Sequence, residues 1–184
     1  MSVDVSTEWC AHLLDTHGLA RTPAGVLAGL LRRCPELRVP QGDRLCTEGD
    51  PGDDLWFLLE GQVGVRKRDF AGVERHLGEV AAPSVMGHMS LIDGALRTAT
   101  CVALRPTRLA VLSRGLYDEL VDAQTAEGAF LRSLMVACMV EQLHRGMRQL
   151  SEAAPVTGEG TPALDDIDRL RLALDGWCGS SRAR

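Results

Sequence analysis

The stretch that decides the fold is "MGHMSLIDGALRTAT", residues 86–100, which combines two glycine turns, a short apolar run and one isolated arginine. Gly87 permits a tight turn and lets the backbone come close to a ligand, because glycine has no Cβ atom. Residues 88–92 are predicted to form a short helical turn. The free backbone N–H groups at the start of such a turn suit an anion. The stretch therefore predicts a close approach of backbone to a negatively charged ligand.

Arg97 stands among small and apolar neighbours rather than on a charged face. Its guanidinium carries a permanent charge, and its planar fork matches two oxygens of a phosphate. Thr98 adds a hydroxyl group and, together with Ala99, further backbone N–H groups. The alternative interpretation is structural: Arg97 forms an ion pair with Asp93 or covers the surface of the domain. Residue types alone leave both interpretations open.

Outward from this stretch, residues 37–112 show frequent turn signals such as Gly42-Asp43 and Asp93-Gly94. Short runs with β character lie between the turns, and this sequence pattern is typical of a sandwich, a barrel or a jelly roll. The segment "RKRDFAGVER" is predicted to be the tip of a hairpin. The predicted strands are "RLCT", "LWFLL", "QVGVRKR", "VERHLGEV", "ATCVAL" and "RLAVLS".

Helices are predicted on both sides of the β region. Residues 6–34 contain two short amphipathic segments, the first capped by Ser6 or Thr7. Residues 114–150 have a helical texture without proline, and apolar residues recur there at alternating steps of four and three. This spacing is a heptad seam over about three heptads, and it predicts a parallel homodimer through the C-terminal helix. The seam residues are Val136, Val140, Leu143, Met147 and Leu150, and a neighbouring stripe of Phe130, Leu134 and Cys138 is predicted to pack on the β region.

The domain organisation follows from these changes in texture. Residues 1–36 are assigned to N-terminal helices, 37–113 to the β domain, and 114–150 to C-terminal helices with the dimer seam. Residues 151–184 are assigned to a linker and a tail helix, because residues 151–163 are rich in small and turn-forming residues.

Composition limits the partners. The 184 residues include 20 basic and 25 acidic side chains, and the net charge of −5 argues against a general nucleic-acid or membrane binder. The six cysteines form no CxxC pair, so no zinc or other metal site is expected. We assign Cys10, His12 and His17 to ordinary surface or core positions. Without a signal-like N-terminus or an apolar stretch of about 18 residues, a cytoplasmic protein is expected.

The chain resembles a known family, the cyclic nucleotide-binding domain of the catabolite activator protein and of the regulatory subunits of cyclic AMP-dependent protein kinase. Three stretches carry the resemblance: "PQGDRLCTEGDPGDDLWFLLEGQVGV", "MGHMSLIDGALRTATCVAL" and "TRLAVLSRGLYDELV". The resemblance covers about residues 37–120 and implies a mainly β fold with flanking helices. That fold is an eight-stranded antiparallel β-roll, a form of jelly roll, followed by a long C-terminal helix.

The same resemblance implies the ligand and its site. The ligand would be cyclic AMP or cyclic GMP, with no other cofactor, and residues 86–99 would be the cassette that holds its phosphate and ribose. The family has glutamate at the position of His88, where it accepts a hydrogen bond from the ribose 2'-hydroxyl. A neutral imidazole still offers one acceptor nitrogen, whereas a protonated one offers none. The implied binding residues are Gly87, His88, Met89, Arg97, Thr98 and Ala99.

Three functional hypotheses follow from the sequence. The first is a cytosolic regulatory module that binds a cyclic nucleotide and signals through its C-terminal helix to a protein partner not identified by the sequence. The second is a dimeric scaffold of the same fold whose pocket is empty or holds another anion, since His88 and the Pro83-Ser84 turn both depart from the family pattern. The third, DNA binding, is disfavoured because only 33 residues follow Ser151. An enzyme is not expected, because no HExxH or Walker sequence occurs.

Overall fold

The computed structural model describes residues 3–69 and 71–153, with side chains described as far as residue 148. Two helices precede a β domain and two follow it, which confirms the predicted mainly β fold with flanking helices. The described elements are α1 (Thr7–Thr16), α2 (Ala24–Arg33), β1 (Glu36–Val39), β2 (Arg44–Cys46), β3 (Asp54–Glu60), β4 (Gln62–Arg68), β5 (Glu74–Ala81), β6 (Ser84–Met86), α3 (His88–Asp93), β7 (Thr100–Ala103), β8 (Thr107–Ser113), α4 (Arg114–Asp122) and α5 (Ala126–Ala153).

The eight described strands form two antiparallel sheets of four. One sheet has the order β1-β8-β3-β6 and the other has the order β2-β7-β4-β5. The hairpin predicted from "RKRDFAGVER" is the connection between β4 and β5, which pair along almost their whole length. Helix α3 follows β6 directly, so the cassette lies between the last strand of the first sheet and β7 of the second.

Strand β3 explains why the run "LWFLL" is apolar at every position. Successive side chains of a strand point to opposite faces of its sheet. Leu55, Phe57 and Leu59 therefore belong to a core that the first sheet shares with the helices. Trp56 and Leu58 belong to a second core between the two sheets. A strand buried on both faces loses the alternation of apolar and polar residues that marks a half-buried strand.

The helices lie against the outer face of the first sheet. Ser6 caps α1, with its hydroxyl accepting a hydrogen bond from the Trp9 backbone N–H at 3.1 Å. The Trp9 indole N–H donates to the Leu59 carbonyl at 3.0 Å, which fixes α1 to the end of β3. The predicted stripe on α5 is buried in the core shared with β3 and β8; it comprises Phe130, Leu134 and Cys138.

Helix α5 is the last described element of the chain. Helix α5 continues to Ala153. The first three residues of the linker predicted over residues 151–163 belong instead to this helix, and the rest of that linker and the predicted tail helix lie outside the described residues. Across residues 3–69 and 71–153, no helix combines the length and the hydropathy that a membrane span requires.

Gly128 lies where α5 passes close to the end of α4. A Cβ atom at Gly128 would lie 2.3 Å from the Leu120 carbonyl oxygen and 2.7 Å from the Ala123 carbonyl oxygen. Both are backbone atoms that cannot swing away, so we expect Gly128→Ala to lower the free energy of unfolding by about 1–3 kcal/mol. Urea denaturation measures this loss.

The matched control is Gly115→Ala on α4, where a Cβ atom meets nothing within 4 Å. Alanine has the higher helix propensity, so this control is expected to be neutral or slightly stabilising. Equal unfolding midpoints for the two variants would contradict the close crossing at Gly128.

Candidate ligand-binding site

Two glycines create the space in which the Arg97 side chain lies. Gly87 precedes α3 with a φ of 80°, in the left-handed region that favours glycine. A Cβ atom there would lie 2.6 Å from Arg97 Nη1. A Cβ atom at Gly52, before β3, would lie 2.3 Å from the Ser90 Cβ atom and 3.2 Å from Arg97 Nε. Both glycines are therefore required by the close approach of two segments around one arginine.

The Arg97 guanidinium is held by backbone, carboxylate and aromatic groups. Its side chain is only 5% exposed and forms an ion pair with the Asp54 carboxylate. Nη1 donates to the Asp54 carbonyl at 3.0 Å and to the Gly87 carbonyl at 3.3 Å. The guanidinium carbon lies 4.2 Å from the centre of the Trp56 ring, a cation–π contact. These contacts fix the orientation of the guanidinium plane.

One donor of this arginine is left over. Arg97 Nε is buried and has no hydrogen-bond partner within the described part of the chain. A buried polar group without a partner carries a desolvation cost, which an acceptor from a ligand would remove. Nε and Nη2 together form the edge of the guanidinium that binds two oxygens, and Asp54 occupies the Nη2 end of that edge.

The structural alternative for Arg97 is half correct. Arg97 does form an ion pair, but its partner is Asp54 rather than Asp93. Asp93 instead accepts a hydrogen bond from the Ala95 backbone N–H at 2.9 Å, closing the turn after α3. Arg97 does not cover the surface either, since its side chain is buried.

The remaining cassette residues lie before and after this arginine in the chain. The Arg97 backbone pairs with the loop before β3, because its N–H donates to the Asp50 carbonyl at 2.8 Å and its carbonyl accepts from Gly49 N–H at 2.9 Å. Met89, Thr98 and Ala99 are half-buried, Met89 in the first turn of α3 and the other two directly after Arg97.

His88 faces α5 rather than Arg97 in this arrangement. Both ring nitrogens are buried, and neither has a hydrogen-bond partner among the described residues. Burial lowers the pKa of His88 to about 4, and among nearby charges Glu141 opposes this shift whereas Arg145 and His17 add to it. His88 is therefore neutral at pH 7. Both nitrogens are therefore closed to solvent in this structure.

His88 belongs to a polar cluster between three helices, which we call the His17 cluster: His17, His88, Glu141 and Arg145. The His17 side chain follows α1 and is only 5% exposed, with Nδ1 3.5 Å from a Glu141 carboxylate oxygen. Burial lowers the pKa of His17, and Glu141 partly offsets that effect. Arg145 donates to the other Glu141 oxygen at 2.6 Å. His17 was predicted to hold an ordinary surface or core position, and the structure shows it buried beside the partly exposed Glu141.

Sequence reasoning missed three members of the site: Asp54, Trp56 and the close approach at Gly52. Asp54 and Trp56 lie within a run that reads as a buried strand and its polar boundary. The signal in the sequence was the Gly52-Asp53-Asp54 turn, which is separated from the cassette along the chain by strands β3 to β6. No periodicity in the sequence connects that turn with Arg97, which follows 43 residues after Asp54.

Fold and site together define an antiparallel β-roll domain with an arginine buried beside a glycine-bounded helical turn. Within that class, residues 36–124 match the sequence model of the family described as the cyclic nucleotide-binding domain. This part of the chain is a cyclic nucleotide-binding domain, as the resemblance of the cassette predicted, with relatives that include cyclic AMP receptor proteins and a regulatory subunit of cyclic AMP-dependent protein kinase.

Individual relatives show how far this similarity extends. The cyclic AMP receptor protein of Thermus thermophilus is 31% identical over 105 residues, which cover 57% of this chain and 47% of the relative. The cGMP-dependent protein kinase egl-4 of Caenorhabditis briggsae is 33% identical over 83 residues, which cover 45% of this chain and 10% of the kinase. The chain thus spans about half of the receptor and a small part of the kinase.

A solved structure supports the same assignment. The crystal structure of a cyclic nucleotide-binding domain from Methylobacillus flagellatus superimposes with a TM-score of 0.65 at 25% sequence identity. The match covers 89% of this chain and 92% of that domain, so it includes the flanking helices as well as the roll.

Proposed function

We propose that this chain is a cytosolic, non-enzymatic regulatory module that binds a cyclic nucleotide, with the phosphate on Arg97. The observation that carries the proposal is the buried Arg97, held between Gly52 and Gly87, whose Nε has no partner among the described residues. A phosphate oxygen would satisfy that donor and share the positive charge. Residues Gly87, Met89, Thr98 and Ala99 would contribute backbone and side-chain contacts around the phosphate. The names of the relatives, a cyclic AMP receptor and a cGMP-dependent kinase, support cyclic AMP or cyclic GMP as the ligand.

Asp54 sets the strength of that site. Its carboxylate already neutralises part of the charge that the phosphate would use. The Asp54 side chain is 34% exposed, so water can solvate the carboxylate if a ligand displaces it. The phosphate therefore competes with Asp54, and affinity should be lower than for an unpaired arginine of the same burial.

His88 would be a weak ribose contact. Its neutral imidazole offers one acceptor nitrogen, which becomes accessible only when α5 withdraws. Ligand binding and movement of α5 would therefore be linked through His88. A ligand can shift such an equilibrium only by as much as its affinity differs between the two positions of the helix.

Two contacts provide routes from the cassette to the C-terminal helices. Arg114 at the start of α4 donates from Nη2 to the Ser90 carbonyl in α3 at 3.0 Å. The His17 cluster connects α3 with α5 through His88 and Glu141. A change in α3 on phosphate binding would act on both helices, which is the proposed signal to a protein partner.

The test is a calorimetric titration of the purified chain with cyclic AMP and with cyclic GMP. Saturable binding of either nucleotide at one site per chain supports the proposal. The second candidate is a scaffold of the same fold whose pocket is empty or holds another anion, and the Arg97–Asp54 ion pair together with the buried His88 favours it. Absence of binding for both nucleotides would leave the scaffold as the function.

The proposed assembly is a parallel homodimer through α5. Four predicted seam residues are exposed and form one apolar row, and the side chain of the fifth, Leu150, lies outside the described residues. Apolar side chains repeating at a and d positions favour a two-stranded coiled coil. The exposed fractions are 57% for Val136, 46% for Val140, 42% for Leu143 and 56% for Met147.

We expect Val140→Lys combined with Leu143→Lys to give monomers, because like charges then face each other in the seam. Light scattering measures the change in mass. The matched control is Val73→Lys combined with Leu77→Lys, since both residues are 49% exposed and lie outside α5. A dimer that survives the seam substitutions, or a wild-type chain that is already monomeric, would remove the seam from the proposal.

A further inference from the structure

Two cysteines of the second sheet stand directly opposite each other. Cys46 on β2 and Cys101 on β7 are Cα partners in an antiparallel pair, after a register shift between Arg44 and Cys46, and both side chains face the core between the sheets. Directly opposed residues of such a pair point to the same face, with Cα atoms about 4.5–5.5 Å apart. That separation falls within the range of about 4.4–6.8 Å that a disulfide bridge requires. Both are free thiols in this structure.

The two thiols interact, and they differ in character. The hydrogen bond from Cys101 is the main cause that lowers the pKa of Cys46, and the positive charge of Arg97 lowers it further. The same hydrogen bond, burial and the negative charge on Cys46 raise the pKa of Cys101. Cys46 is half-buried whereas Cys101 is buried, so Cys46 is the more accessible of the two. The pair therefore has one thiol suited to attack and one suited to resolve.

Cys46 also touches the cassette. Its Sγ donates a hydrogen bond to the Ala99 carbonyl oxygen at 3.5 Å. At the next residue, where β7 begins, the Thr100 hydroxyl accepts from the Glu48 backbone N–H at 3.0 Å. The thiol pair thus lies where the strand after Arg97 meets the strand that leads into the loop before β3.

The other described cysteines lack these features. Burial raises the pKa of Cys34 and of Cys138 to about 12, and both are buried in the core between helices and sheet. Cys10 is buried in the same core, and its pKa is also raised. Such thiols remain protonated at neutral pH and are poor nucleophiles.

We propose that Cys46 and Cys101 form a peroxide-reactive dithiol site, in which a hydroperoxide converts the two thiols to an intramolecular disulfide. This inference is independent of the proposed nucleotide ligand. It assigns a modification site to the second sheet, next to the cassette.

The reaction balances with hydrogen peroxide as the oxidant. The Cys46 thiolate attacks one peroxide oxygen, the O–O bond breaks, and the departing hydroxide takes up the proton released by Cys46 to form water. Cys46 is then a sulfenic acid without negative charge, so one cause of the raised pKa of Cys101 disappears. Cys101 sulfur attacks Cys46 sulfur, the S–S bond forms, the S–O bond breaks, and hydroxide leaves as water with the Cys101 proton. One peroxide is reduced to two waters as two thiols are oxidised.

The experiment uses the full chain with Cys178→Ser, because that cysteine lies outside the described residues. The folded protein is treated with equimolar hydrogen peroxide, denatured and alkylated. The chain has six cysteines, so this variant keeps five, and we expect three to be alkylated after oxidation. Peptide mapping should join Cys46 to Cys101, and a thiol reductant should restore all five. Before the disulfide forms, hydrogen peroxide should oxidise Cys46 at least about tenfold faster than Cys34 or Cys138.

Two variants in the same background serve as controls. With Cys101→Ser the sulfenic acid on Cys46 should accumulate and be trapped by dimedone, because the resolving thiol is gone. With Cys10→Ala the disulfide should form as before. Alkylation of all five cysteines, a bridge to another cysteine, or a bridge between two chains would overturn the proposal. The peptide map of the Cys178→Ser protein decides this even if Cys101→Ser does not fold.

Discussion

Arg97→Ala should abolish measurable binding of cyclic AMP and of cyclic GMP. The substitution removes the buried guanidinium whose Nε lacks a hydrogen-bond partner in the described part of the chain. Truncating one partner of a buried, hydrogen-bonded charge pair costs about 2–5 kcal/mol, which corresponds to a loss of roughly thirty- to several-thousand-fold in affinity. Calorimetric titration measures the loss, and urea denaturation of the same sample establishes that the variant is folded.

The matched variant is Asp54→Asn, which should act in the opposite direction. It removes the carboxylate that competes for Arg97 but keeps the backbone carbonyl that accepts from Nη1. A hydrogen bond to a charged group contributes about 1.5–3 kcal/mol, so relief of the competition should tighten binding by about tenfold or more. Equal affinity of the wild type and Arg97→Ala would show that the phosphate lies elsewhere. Tighter binding by wild type than by Asp54→Asn would contradict the competition.

The second large effect is a loss of stability in acid. The pKa of His88 is about 4 in the folded chain, against 6.5 for an ordinary histidine, so the unfolded chain takes up this proton first as the pH falls. The free energy of unfolding therefore declines as the pH falls from about 6.5 to about 4, by about 3 kcal/mol in total. His17 contributes in the same direction, because its pKa is also lowered.

Urea unfolding of the wild type and of His88→Gln, from about pH 7 to about pH 4, tests this prediction. Glutamine does not titrate, so the variant should lose the part of the acid-dependent decline that His88 contributes and keep the part from His17, whatever its stability at neutral pH. His76→Gln is the control, since His76 is exposed on β5 and 54% of its side chain is accessible. The same pH dependence in the wild type and in His88→Gln would contradict the assignment of the effect to His88.

Local features of the fold could be predicted from the sequence. The two glycines that bound α3 lie where turns were predicted, and both have positive φ angles that other residues rarely adopt. The six predicted β runs all contain strands. Two strands were missed: β1, where charged Glu36 and Arg38 alternate with apolar residues, and β6, which has only three residues after the Ala82-Pro83 turn.

The sequence by itself also identified Arg97 as the isolated positive charge of the cassette. Arg97 is an isolated arginine in an apolar segment after a glycine turn, and both its residue type and its place in the cassette can be read locally. The same holds for the apolar row on α5, because a seam needs only the spacing of residues along one helix.

Tertiary structure alone decided what these groups face. Arg97 meets Asp54 and Trp56 because α3 folds back against the start of β3, and His88 is covered because α5 returns over the cassette from 53 residues further along the chain. Whether Arg97 is free or paired, and whether His88 is charged or neutral, depends on distance and burial in space. Coulombic attraction and desolvation act through space and not along the chain, so residue spacing fixes the groups but not their partners.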